Sequence, residues 1–111
     1  MTDWETVTVT PVSAIINSGS IVCKKRAGLC FVWFSGVTFK SSGDNKTIYT
    51  GLPKCTVQSS ILFGGTSAAK NSQIVNAGDC TWIENGATTL KAHFGSTYGE
   101  AHYGTLIYPC D

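Results

Sequence analysis

The chain is short of charge. Only 14% of its 111 residues are Asp, Glu, Lys or Arg, against about a quarter in ordinary soluble domains. Eight basic and seven acidic side chains leave a net charge of +1. A protein that neutralises phosphates needs a concentrated basic face. The one basic cluster, Lys24-Lys25-Arg26, is explained by a charged hairpin tip, so nucleic acid is not an expected partner. Long apolar runs are missing too. The longest, Leu29 to Phe34, falls far below the ~20 residues needed to cross a bilayer. The chain therefore reads as soluble, with no membrane insertion. The opening MTDWETVTVT has neither a basic nor an apolar segment of the kind a secretory signal needs.

Motifs for chemistry are equally scarce. There is no CxxC, and His93 and His102 have no cysteine beside them, so no metal or cofactor is expected. No GxSxG elbow occurs; Gly95-Ser96-Thr97-Tyr98-Gly99 puts the serine directly after the first glycine. The seven carboxylates are scattered. Asp79 and Glu84 project to opposite faces if their segment is one strand, whereas a glycosidase needs two carboxyls converging about 5–9 Å apart. Any of the five cysteines could meet a histidine in space, but none sits at a helix N-terminus that would lower its pKa. The expectation is a protein that is not an enzyme, with no catalytic residues.

What the sequence does have is strands. No helical stripe occurs, while short runs of β-branched and aromatic residues recur between clusters of turn formers. These runs are Ser20–Lys24, Leu29–Phe39, Thr47–Thr50, Thr56–Phe63, Ser72–Asn76, Cys80–Glu84, Thr88–Phe94 and Tyr103–Tyr108. Glu5 to Thr10 alternates strictly before Pro11, and residues 1–16 read as a connector or strand ahead of a head domain over residues 17–111. Asn76-Ala77-Gly78-Asp79 and Asn85-Gly86 are turn chemistry. With no helix to cover a sheet, sheet must cover sheet. The expected fold is all-β, an antiparallel, jelly-roll-like β-sandwich of about 8–9 short strands.

IVCKKRAGLCFVWF, residues 21–34, reads as a hairpin. With Lys25–Gly28 as its loop, Lys24 faces Leu29 and Cys23 faces Cys30. Opposed Cβ atoms lie about 4.5–5.5 Å apart, whereas a disulfide prefers roughly 3.8 Å. A bridge there is strained, and the five cysteines, an odd count, are read as small buried hydrophobes in a reduced compartment. Strict alternation places Phe31, Trp33, Val37 and Phe39 on one face of Leu29–Phe39, and Cys30, Val32, Phe34 and Thr38 on the other. One face serves the core. The other needs a neighbouring subunit or the inside of a barrel.

The segment from His93 to Gly104 combines aromatics, two imidazoles, a carboxylate and three glycines between the last two strands. Flat aromatic faces beside fixed hydrogen-bonding groups suit a sugar ring. Trp82, His93, Tyr98, Glu100, His102 and Tyr103 are the expected ligand-binding residues; the competing reading is a loop whose Tyr and His are half-buried against the sheet end.

The order of the IVCKKRAGLCFVWFSGVTF hairpin, a polar loop, TIYTGLPK with its Leu52-Pro53 step, and a late YGTLIYPCD strand resembles a known family. It is similar to the C-terminal head domains of tail-fibre, baseplate and receptor-binding proteins of bacteriophages and prophages of Gram-positive hosts. The resemblance runs from about Ser20 onward; Gly51–Cys55 lacks the Gly-Tyr-Arg-Pro continuation of many members. It implies a β-sandwich assembled as a homotrimer with other virion tail proteins. It further implies a place in the virion tail after assembly in the bacterial cytoplasm, and distal loops that bind host surface polysaccharide. Three other functions stand beside it: a trimerisation knob without ligand, a small lectin-like carbohydrate-binding module, and a small cell-wall hydrolase.

Overall fold

The computed structural model describes residues 3–70, 73–76 and 79–111, and of residues 74–76 the backbone alone. The chain is all-β. Its strands are β1 (Glu5–Thr6), β2 (Thr10–Pro11), β3 (Ile16–Arg26), β4 (Leu29–Phe39), β5 (Gly43–Thr50), β6 (Ile61–Lys70), β7 (Gln73–Asn76), β8 (Cys80–Glu84), β9 (Leu90–Phe94) and β10 (Ala101–Pro109). Every pairing is antiparallel, and one sheet runs β1-β3-β4-β10-β6-β8-β9-β5-β2, with β7 beside β6. The sheet curls on itself into a half-barrel, an antiparallel, sandwich-like fold.

The curl turns at β6. Its first half, Ile61–Gly65, pairs with β8, and Thr66–Ala69 pairs with β10. Gly64 and Gly65 sit at the changeover, and a Cβ on Gly64 would stand 2.7 Å from the Thr105 carbonyl oxygen. The two strands approach there as closely as backbone can. At the far ends, β1 and β2 are the two edges of the sheet, yet only Val7, Thr8 and Val9 separate them in the chain. A span of that length reaches at most about 14 Å, so the edges nearly meet. Val7 and Val9 pack onto the core across the seam.

The β3–β4 hairpin is tighter than its sequence suggested. Arg26 pairs with Leu29, leaving a two-residue loop of Ala27 and Gly28 with φ of 50° and 79°. Two consecutive left-handed residues match the twist of the strands, as in a type I′ turn. The expected four-residue loop is therefore replaced, and the register moves with it. Cys23 stands opposite Val32 and Cys30 opposite Lys25, so the two cysteines are diagonal neighbours on the inner face.

The face assignment of β4 changes as well. His102 pairs with Val37 and Tyr103 with Ser35, which leaves Gly36, at φ 66°, as an extra residue. This bulge inverts the alternation beyond it. Val37 and Phe39 join Cys30, Val32 and Phe34 inside, while Phe31 and Trp33 stay outside. Phe39 then stacks on Phe94 at 3.8 Å between ring centroids, tying the two halves of the curl together.

Other boundaries shift. Residues 56–60 are not strand, and β5 begins at Gly43, inside the segment read as a polar loop. The expected strand at Glu5–Thr10 is two short edge pairings instead. The Asn85-Gly86 hairpin forms, with a loop reaching from Asn85 to Thr89. The first residue of the strand expected at Ser72–Asn76, and Ala77 and Gly78 of the expected turn, lie outside the described residues.

Candidate functional site: an aromatic cleft on the outer sheet face

The six residues expected to bind a ligand do not form one surface. His102 is fully buried and Trp82 is buried against Phe63, whose ring centroid lies 5.5 Å away. Neither is available to a ligand, which corrects the sequence-based expectation for both. His93, half-buried on β9, holds Asp44 at 3.1 Å between Nδ1 and Oδ1. Glu100, also half-buried, forms a 3.7 Å ion pair with Lys70. Tyr98 and Tyr103 are exposed; Tyr98 lies in the loop between β9 and β10, and Tyr103 lies on the outer face of β10.

The polar chemistry that made this segment look like a site is spent inside. His102 Nε2 lies 2.6 Å from Asp79 Oδ2, with both side chains buried. Its Nδ1 faces two carbonyl oxygens, of Glu100 at 2.8 Å and Val37 at 3.1 Å. Since both acceptors face Nδ1, that nitrogen carries a proton, and one further proton is held between Nε2 and the carboxylate. Asp79 Oδ1 accepts the Gly95 N–H at 3.1 Å. Phe39 N–H donates to the Tyr98 carbonyl at 2.8 Å. The buried pair thus pins the start and end of the Gly95–Glu100 loop, and β4, β9 and β10 are joined through it.

The exposed aromatic chemistry lies elsewhere. Because Cys23, Cys30, Val32 and Phe34 point inward, their neighbours in the pleat point out. Cross-strand register stacks them in rows: Val22 with Trp33 and Thr105, then Lys24 with Phe31 and Ile107, then Arg26 with Leu29 and Pro109. Trp4 joins from the residues just before β1, its ring meeting Phe31 edge-on at 4.7 Å. The Arg26 guanidinium lies 5.6 Å from the Trp4 ring centroid, within cation–π range. Trp4, Lys24, Phe31 and Trp33 line a cavity of about 320 Å³, at the lower end of the range for small-molecule sites. Trp4 is 42% and Trp33 38% exposed, and Tyr103 and Ile107 extend the apolar face at 51% and 46%. The doubly apolar strand Leu29–Phe34 was the sequence signal for this face; Trp4, 27 positions before Phe31 in the chain, carried none.

Cys80 pairs in register with His93, whose ring holds Asp44. Burial pushes the Cys80 thiol up, the Asp79 charge adding to it, so the sulfur stays protonated and is a poor nucleophile. Among the described residues no three metal-ligating side chains converge, and no helix is long and apolar enough to cross a membrane. No family model, curated protein or solved structure matches this chain.

Proposed function

We propose that the chain is a non-enzymatic adhesion head, of the kind carried by phage-like tail fibres and receptor-binding proteins, and that it takes a host cell-surface saccharide in the Trp4–Phe31–Trp33 cleft. The observation that carries the reading is the cleft itself: Phe31 and Trp33 set by strand register, with the Trp4 ring edge-on to Phe31, beside the Lys24 side chain. A sugar ring lays its C–H face on an aromatic and offers hydroxyls to a cation or backbone at its rim. Phe31 and Trp33 stand on a hairpin strand whose inner side is packed, so these two rings are in place before a ligand arrives and little ordering cost opposes binding to them.

Tryptophan fluorescence titration with host cell-wall polysaccharide tests it. Trp33→Ala removes an exposed ring and leaves the core intact; affinity falls at least about tenfold, which is about 1.4 kcal/mol. Wild-type affinity in a Trp33→Ala/Phe31→Ala double variant, together with loss in Tyr98→Ala, moves the site back to the β9–β10 loop.

A second reading has its own support. Leu29, Tyr103 and Ile107 continue the apolar surface well beyond the cleft, and a face of that composition is normally covered. In this reading the outer face packs against neighbouring copies in a homotrimer at a fibre tip. A native mass of three chains that falls to one on Ile107→Lys favours it; a monomeric wild type removes it.

A further inference from the structure

Two thiols meet in the core directly beneath the aromatic cleft. Cys23 and Cys30 are diagonal neighbours across the β3–β4 hairpin, both free and buried, with their sulfurs 3.4 Å apart. Closing to a disulfide needs about 1.4 Å of further approach, given an S–S bond of about 2.05 Å. Both side chains already lie on one face with their sulfurs in contact. We propose that Cys23 and Cys30 are a redox-modification site, which hydrogen peroxide converts to an intrachain disulfide that clamps β3 to β4.

The chemistry has a defined order. The hydrogen bond from the Cys23 thiol brings Cys30 down to about 7 against the opposing effect of burial, with Tyr108 and Lys25 lowering it further, while the same contact pushes Cys23 up. Cys30 is therefore the sulfur that first loses its proton to solvent. Its thiolate attacks one peroxide oxygen; the S–O bond forms, the O–O bond breaks, and the departing hydroxide is protonated to water. Cys23 sulfur then attacks Cys30 sulfur; the S–S bond forms, the S–O bond breaks, and hydroxide leaves with the Cys23 proton as a second water. Two thiols lose two electrons, and the peroxide gains them.

Peroxide is little larger than water, which suits a buried pair. The pair lies near the hairpin end. There the Ala27–Gly28 turn is exposed, and the Cys110 N–H donates to the Gly28 carbonyl at 2.8 Å. Cys55 and Cys110, buried and facing each other across an isolated bridge, are the built-in comparison.

The test is peroxide treatment of the folded chain, then unfolding in an alkylating reagent and peptide mapping by mass spectrometry. The expected product links Cys23 to Cys30, lacks two hydrogens, and alkylates at three of the chain's five cysteines. A thiol reductant restores all five. In Cys23→Ser the resolving thiol is gone, and Cys30 is trapped as a sulfenic acid by a 1,3-dione probe. Alkylation of all five cysteines after treatment overturns the proposal, as does a link involving Cys55, Cys80 or Cys110 instead, or over-oxidation of Cys30 in the wild type.

Discussion

Replacing Asp79 by alanine should be the most damaging polar substitution in this chain, and replacing it by asparagine should be mild. Alanine removes the partner of His102 Nε2 at 2.6 Å, which is left buried, and the acceptor of the part-buried Gly95 N–H at 3.1 Å. Breaking one side of a buried charged pair costs about 3–5 kcal/mol, out of a total of about 5–15 kcal/mol for a domain. With a urea slope near 2 kcal/mol/M, the unfolding midpoint drops by about 2 M. Asparagine behaves differently because of where the protons are. His102 Nδ1 keeps its proton for the Glu100 and Val37 carbonyls, so a neutral imidazole presents a lone pair at Nε2. In Asp79→Asn the new side-chain amide donates to that lone pair while its oxygen still accepts from Gly95. Both of these hydrogen bonds survive, and the cost should stay near 1 kcal/mol. Urea denaturation supplies the numbers, and amide hydrogen exchange supplies the location: in Asp79→Ala, the Phe39 and Gly95 N–H groups lose protection together. Equal midpoints for the alanine and asparagine variants would show that the pair is not what pins the Gly95–Glu100 loop.

Two further perturbations follow from the same core. Stability should rise gently from pH 7 to 9 and fall steeply above pH 9–10, read as urea midpoints across that range. Cys30, brought down to about 7 chiefly by the Cys23 hydrogen bond, is depressed below the ordinary thiol value of 9.0, so its contribution is present above 9 and is lost as pH falls through 7. Cys23 is raised mainly by its bond to Cys30, and Cys110, Tyr49 and Tyr108 mainly by burial. Their contributions are full below the unfolded values of 9.0 and 10.0 and are lost as pH climbs toward the folded ones, each at up to about 1.4 kcal/mol per pH unit. A flat profile above pH 9 refutes this account. Gly19→Ala and Gly86→Ala separate backbone strain from collision, because both sites have φ near +80° but only Gly19 faces neighbouring backbone, at Gly36 and Val37. Gly86→Ala should cost about 1 kcal/mol and Gly19→Ala roughly 2–4 kcal/mol; equal thermal shifts would mean that β3 and β4 can part at the bulge.

The fold class was legible because it rests on absence and spacing: no helical stripe, and turn formers between short β-rich runs. The strand expected at Thr88–Phe94 forms from Leu90, where Leu90, Ala92 and Phe94 alternate inward, and Cys80–Glu84 forms as expected with Thr81, Trp82 and Ile83 all buried. The expected site did not survive as a surface. Residue type reports the chemistry a side chain offers, not the direction from which that chemistry is used. His102 and Asp79 are the residues a binding loop would display, yet they sit 23 positions apart and satisfy each other and the surrounding backbone inside. A lone buried histidine with no nearby partner in sequence gives no sign of this, since the partner, Asp79 just before β8, meets it only once β10 is laid beside β6 and β8.

The misassignment of β4 has a sharper cause, and it bears on function. A period of two tells which residues share a face only while the pleat is unbroken. Gly36 breaks it, and φ 66° is a conformation that glycine adopts at little cost. Without the bulge, Val37 and Phe39 would leave the core for the outer face beside Trp33, and the Phe39–Phe94 stack that closes the curl would be lost. With it, the inner face collects its apolar residues from both halves of the strand. Phe31 and Trp33 remain the exposed remainder, held rigid by a packed layer beneath them. The closed core is therefore a consequence of one inserted residue, while Phe31 and Trp33, which precede it, keep the plain alternation.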